Sequence, residues 1–164
     1  MMRLFFNMLI ASAVLVLSLA SNAQIAVTAN TDHAAMLASK DSKLAANKKL
    51  VYDFWREVFE GGHMELAPKY MTESYIQHNP TVATGRKAFI DFFSQFKKPQ
   101  TIADKVTAPL VSITAEGNLV TLAFVSELKD PKDPTKTYTT TWFDMFRIEN
   151  GKIAEHWDNM TKQN

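Results

Sequence analysis

Apolar residues recur at helical spacing from Lys43 to Glu60. Leu44, Val51, Phe54, Trp55, Val58 and Phe59 form one broad stripe, and Gly61-Gly62 ends it. His63 to Met71 reads as a short second helix that Pro68 kinks or restarts. Ser74 to Asn79 reads as a short strand, stopped by Pro80. Thr84-Gly85-Arg86 then leads into a third helix with Ala88, Phe89, Phe92, Phe93 and Phe96 on one face, closed by Lys97-Lys98-Pro99. Such an aromatic stripe is usually core, and part of it can wall a pocket.

After Pro99 the period changes from helical to alternating. Val106 to Ala115 reads as a strand, and Glu116-Gly117-Asn118 as a turn. Leu119 to Leu128 alternates, with Val120, Leu122, Phe124 and Leu128 on one side. Asp130 to Pro134 is a loop, because its two prolines cannot pair in a ladder. Tyr138 to Ile148 and Ile153 to Met160 form a closing hairpin. Helices followed by a meander predict an α+β fold: a curved antiparallel sheet with the N-terminal helices on its concave face, a cone-shaped α+β barrel. A cone of this kind leaves an apolar cavity between helices and sheet.

The ends and the composition narrow the picture. Residues 1–23 read as a signal peptide: Arg3 is a positive start, Met8 to Leu19 is apolar, and Ser21-Asn22-Ala23 is a small-x-small cleavage site before Gln24. The apolar run is shorter than the ~20 residues of a spanning helix. The chain is therefore expected to be exported, periplasmic or secreted, with no stable membrane insertion after cleavage. Residues 24–42 are poor in large apolar groups and read as a flexible leader; His33 lies in it and is given no role. Residues 43–164 form the single folded domain. The chain has no cysteine, which removes disulfides, thiol nucleophiles and thiolate metal sites. A formal charge of +1 argues against a nucleic-acid partner.

The candidate chemistry lies in the last hairpin, Thr141 to Asn159. Asp144 sits between Phe143 and Met145, and His156 and Asp158 flank Trp157. Charges on a strand often mark its wet face. On one face in an apolar setting they would instead line a pocket, where a carboxylate's proton affinity rises. The loop decides. A two-residue loop, Asn150-Gly151, pairs Glu149 with Lys152 and sends the two aspartates to opposite sides. A three-residue loop, Glu149-Asn150-Gly151, pairs Ile148 with Lys152 and gathers Trp142, Asp144, His156 and Asp158 with Phe146 and Ala154. The second is preferred here, because it also brings Arg147 and Glu155 diagonally together on the other face.

Two blocks of this chain resemble the SnoaL-like proteins of the nuclear-transport-factor-2-like superfamily. One is Tyr75-Ile76-Gln77-His78-Asn79-Pro80 with Gly85-Arg86; the other runs from Asp144-x-Phe146-Arg147 through Gly151-Lys152-Ile153 to Glu155-His156-Trp157-Asp158. The likeness covers about Asn47 to Asn159. It implies the α+β cone. In the polyketide cyclases of that family an aspartate near the end of the sheet removes a proton next to a carbonyl, and the carbanion closes a ring by aldol addition. No metal or organic cofactor takes part. The resemblance thus implies Asp158 as base, with Asp144, His78 and His156 as its catalytic neighbours. Asp144 stands where the cyclases carry a histidine, and Trp142 where a smaller polar group is expected. Trp142, Trp55, Phe89, Phe93 and Phe146 would hold the substrate, a small hydrophobic carbonyl compound.

Three functions follow from these residues: a cofactor-independent lyase or isomerase, a non-catalytic pocket for a small hydrophobic ligand, or an interaction module using the outer sheet face. The family often pairs through that face, so a homodimer is expected. His78, His156, Asp144 and Asp158 are possible metal ligands, but no short metal-binding spacing occurs, and no bound metal is expected.

Overall fold

The computed structural model describes residues 24–162, so the expected signal peptide lies outside the described residues. Residues 24–42, expected as a mobile leader, make specific contacts with the domain. A short helix, α1 (His33–Leu37), starts at Asp32, whose side chain accepts from the Ala35 N–H. Buried Lys48 donates to the carbonyls of Met36 and Ala38, at 2.6 Å each. The Asn30 N–H donates to the Leu110 carbonyl, and the Val27 N–H to Thr139 Oγ1. These ties use backbone groups, one lysine and one threonine hydroxyl, so hydropathy does not reveal them.

Helix α2 (Ser42–Phe54) is capped by Asp41, which accepts from the N–H groups of Lys43 and Leu44. It continues as a wider π-helical turn, Trp55–Glu60. Residues five apart align in such a turn, and Trp55 Nε1 donates to Glu60 Oε1 at 3.2 Å. Glu60 also accepts from the N–H groups of Thr107 and Ala108, while Tyr52 Oη accepts from that of Val106. Those three N–H groups are therefore not free for a ladder. This is why β2 (Leu110–Glu116) starts four residues later than its sequence predicts.

A single 3₁₀ turn (Met64–Leu66) and α3 (Ala67–Tyr70) replace the expected second helix. Strand β1 (Met71–Gln77) follows at once, then α4 (Arg86–Phe93). The rest is β3 (Leu119–Lys129), β4 (Thr137–Glu149) and β5 (Lys152–Asp158). The sheet order is β1-β5-β4-β3-β2. The α+β architecture expected from the pattern is present, as a curved sheet that is open rather than closed into a barrel. One strand corrects the expectation of an antiparallel sheet: β1 pairs with β5 in parallel, so the sheet is mixed. Alternation marks a strand but carries no information about its direction, and these two strands are far apart in the chain.

The helices cover one face of this sheet. Phe54 packs against Phe89 and Phe146, and Trp55 stacks on Phe124 with ring centroids 4.6 Å apart. Val51, Val58, Val120, Leu122 and Ile153 are completely buried in the same core.

The hairpin loop corrects the preferred reading. Asn150 and Gly151 both have positive φ, 51° and 71°, and Glu149 pairs with Lys152 across a two-residue turn. The register then shifts. Ile148 pairs with Ile153, but Arg147 pairs with Glu155, leaving Ala154 as the extra residue of a bulge. Ile153 and Ala154 are consecutive and both buried, which an unbroken strand would not allow. The bulge resets the parity, so Phe146 pairs with His156 and Asp144 with Asp158. Trp142, Asp144, His156 and Asp158 thus share the inner face by a different route. Arg147 and Glu155 lie directly opposite each other outside, bonded at 2.7 Å.

Candidate functional site

A cavity of about 540 Å³ lies between the helices and the inner face of the sheet. That is a usual size for a small-molecule site, roughly 300–1,000 Å³. Its walls are largely aromatic. All five side chains expected to hold a substrate, Trp142, Trp55, Phe89, Phe93 and Phe146, line it. At one end the lining turns polar: Tyr75, Gln77 and Asn79 come from β1 and the residues after it, Asp144 from β4, and His156 and Asp158 from β5.

Three of the four expected catalytic side chains meet here. One ligating atom each from Asp144, His156 and Asp158 lies within 4.8 Å of the others. His78 is the exception and is corrected. It lies on the outer face, bonded to Glu155 at 2.8 Å and stacked on Trp157 at 5.0 Å. Period two explains it: Tyr75, Gln77 and Asn79 point inward, and Ile76 and His78 outward. The sequence showed a dense polar run there, and alternation was the signal that separates its two sides.

The hydrogen bonds fix most of the protons. The Asn79 N–H donates to Gln77 Oε1, so that atom is the amide oxygen. His156 Nδ1, 2.8 Å from the same oxygen, must therefore carry a hydrogen and donate. His156 Nε2 faces Asp144 Oδ1 at 2.9 Å, so a single proton lies between these two atoms. The pair is net neutral whichever atom holds that proton. Asp144 is 4 % exposed, and burial is the main cause that raises its proton affinity. The nearby Asp158 adds to this, while His156 and, more weakly, Trp142 act against it.

Two groups at this polar end are left over. Asp144 Oδ2 is buried and has no hydrogen-bond partner among the described residues. An unmatched buried acceptor costs about 1–3 kcal/mol. Tyr75 Oη accepts from Gln77 Nε2 at 3.0 Å, and its own hydrogen meets no acceptor among the described residues. Burial and the two carboxylates push the Tyr75 pKa up, so the hydroxyl keeps its proton and remains a donor. Asp158 differs from Asp144. It is half-buried, with Oδ2 accepting from Asn79 Nδ2 at 2.6 Å and Oδ1 from the Met160 N–H at 2.9 Å.

Residues 51–156 match the SnoaL-like domain, and the chain belongs to that family. No curated protein matches it. Among solved structures, a candidate polyketide cyclase from Acidithiobacillus ferrooxidans is 17% identical, with a TM-score of 0.50 over 74% of this chain and 89% of that one. An LEH-like epoxide hydrolase of M. tuberculosis is 10% identical, with a TM-score of 0.50 over 71% and 83%. At these identities the likeness shows the shared fold alone.

Proposed function

We propose that the chain is an enzyme of the isomerase or cyclase kind, acting on a small carbonyl compound without a cofactor. The observation that carries this reading is a carboxylate, Asp158, and an unspent hydroxyl donor, Tyr75, at the polar end of one aromatic cavity. The substrate carbonyl accepts a hydrogen bond from Tyr75. Asp158 removes a proton from the adjacent carbon. The C–H bonding pair becomes the enolate double bond, and the carbonyl pair moves to the oxygen that Tyr75 holds. Return of the proton to another carbon completes an isomerisation. Attack of the enolate carbon on a second carbonyl completes an aldol cyclisation, and the proton on Asp158 goes to the new alkoxide.

Asp144 and His156 supply a net-neutral floor, so no second full charge opposes the developing enolate. The proton that they share points along their own bond and not at the cavity. This makes Tyr75, rather than Asp144, the group placed to donate to substrate. A positioned base contributes about 10²–10⁴-fold in rate. In this reading the protein meets its substrate outside the cytoplasm; the pattern of residues 1–23 supports that part.

A binding module is the second reading. It is favoured by Asp158, both of whose oxygens already accept hydrogen bonds. One experiment separates the two. The protein is incubated with 1-tetralone in D₂O, and loss of the proton signals next to the carbonyl is followed by NMR. The enzyme reading predicts exchange well above the buffer rate. A ketone that binds without faster exchange leaves the binding reading.

A further inference from the structure

We infer that Gln77 is a positioning residue: by deciding which way the Tyr75 hydroxyl points, it makes the polar end of the cavity select carbonyl groups. This rests on the reading above, in which Tyr75 donates to a substrate carbonyl. An amide side chain can meet a tyrosine with either end. Its oxygen would take the hydroxyl's hydrogen; its nitrogen leaves that hydrogen free. Here two neighbours choose the end. The Asn79 N–H lies 3.0 Å from one terminal atom of Gln77, and His156 Nδ1 lies 2.8 Å from the same atom. A backbone N–H can only donate, so this atom is the oxygen. Nε2 is left to face Tyr75 Oη at 3.0 Å.

The consequence runs through the phenol. Its ring is buried and set edge-on to Phe89 with centroids 6.1 Å apart, and the Tyr75 carbonyl accepts from the Gly85 N–H at 2.7 Å. Only the hydroxyl hydrogen can still turn. It favours the ring plane, which gives it two positions. Gln77 Nε2 donates to one side of Oη, so the hydrogen takes the other, toward the cavity that Tyr75 lines. An N–H that donates to a hydroxyl oxygen also polarises its O–H and strengthens the next bond in the chain. The bonds thus run one way, from the Asn79 N–H through the Gln77 amide to the Tyr75 O–H, and they end on a donor. Two other donors at this end are turned to carboxylates: Trp142 toward Asp144, and Asn79 Nδ2 toward Asp158.

The test compares two substitutions of nearly the same length. Gln77→Glu keeps an acceptor for Asn79 and His156 but, once ionised, cannot donate, so the Tyr75 hydrogen swings to the new carboxylate. Gln77→Met removes every one of these bonds and leaves that hydrogen free. A role in stability alone predicts that Met does more harm; a role in aiming the hydroxyl predicts the reverse. Binding of tetralin and of 1-tetralone to the purified protein is measured by calorimetry. The unaltered protein should bind the ketone about fivefold or more tightly than the hydrocarbon. Gln77→Met should keep most of this preference, and Gln77→Glu and Tyr75→Phe should each erase it. Gln77→Glu added to Tyr75→Phe should change it no further. A carboxyl that holds its proton could still donate to Tyr75, so the Glu variant is measured up to about pH 9. If the Glu variant keeps the full preference there, the inference is overturned and the carbonyl reading stands. A loss in Gln77→Met as complete as in Gln77→Glu overturns it too. If the unaltered protein binds neither probe, or both equally, the carbonyl reading falls and the inference with it. Nitrogen NMR of the unaltered protein adds a check that no folding defect of a variant can blur. His156 Nδ1 should carry a hydrogen at neutral pH; a bare Nδ1 would turn the Gln77 amide round and overturn the inference.

Discussion

His156 Nε2 lies 2.9 Å from Asp144 Oδ1, and the Gln77 amide behind the imidazole leaves one proton for that bond. The pair is a buried, net-neutral floor to the cavity, and its titration has a consequence for stability. Burial raises the Asp144 pKa above that of an unfolded carboxylate, about 4. Below that value the residue is protonated in both states and contributes no pH dependence. Between the unfolded and the folded pKa, the unfolded chain has lost its proton and the folded chain has not. Through the Asp144 carboxyl taken alone, rising pH therefore destabilises the fold, up to the folded pKa. Asp144→Asn never ionises and escapes this loss. Its thermal midpoint should rise relative to the unaltered protein as pH increases from about 4 through the folded Asp144 pKa. A difference that moves the other way contradicts the assignment.

The outer face of the sheet is expected to pair two copies of the chain. Phe143 is 48 % exposed and Ile76 39 %, beside the His78–Trp157 stack. Light scattering should give the mass of a homodimer, and Phe143→Glu should shift it to monomer. A monomer mass for the unaltered protein at high micromolar concentration contradicts this.

No tightly bound metal ion is expected. A cation between Asp144, His156 and Asp158 would have to displace the shared proton and the hydrogen bond from Asn79 to Asp158. Elemental analysis should show well under one equivalent of zinc, iron or manganese. One equivalent, lost in His156→Ala, contradicts this.

Export is expected from residues 1–23. N-terminal sequencing of protein from its native host should begin at or near Gln24. An intact Met1 on membrane-bound protein contradicts it.

Much of this fold is legible in periodicity, because each helix and strand buries one face. Trp55, Phe89 and Phe93 on helical stripes and Phe124 on an alternating strand lead directly to the walls of the cavity, and Val120 and Leu122 on the same strand lead to the core. Two features are not legible. The parallel pairing of β1 with β5 joins distant segments, and no local pattern records direction. The bulge at Ala154 is set by burial of both Ile153 and Ala154, so a correct Asn-Gly turn and a correct pocket face look incompatible until the extra residue is seen. The polar side chains of β1 were visible as Tyr75-Ile76-Gln77-His78-Asn79. A histidine draws chemical attention, and here the neighbouring tyrosine and two amides face the cavity instead.

The central claim is that Asp158 is a base, and Asp158→Asn tests it. The substitution keeps the size of the side chain and a polar group toward Asn79. In the D₂O exchange assay the variant should lose about 100-fold or more of the protein-catalysed rate on 1-tetralone. Its affinity for 1-tetralone and its thermal midpoint should change little. An Asn variant that exchanges protons as fast as the unaltered protein contradicts the account.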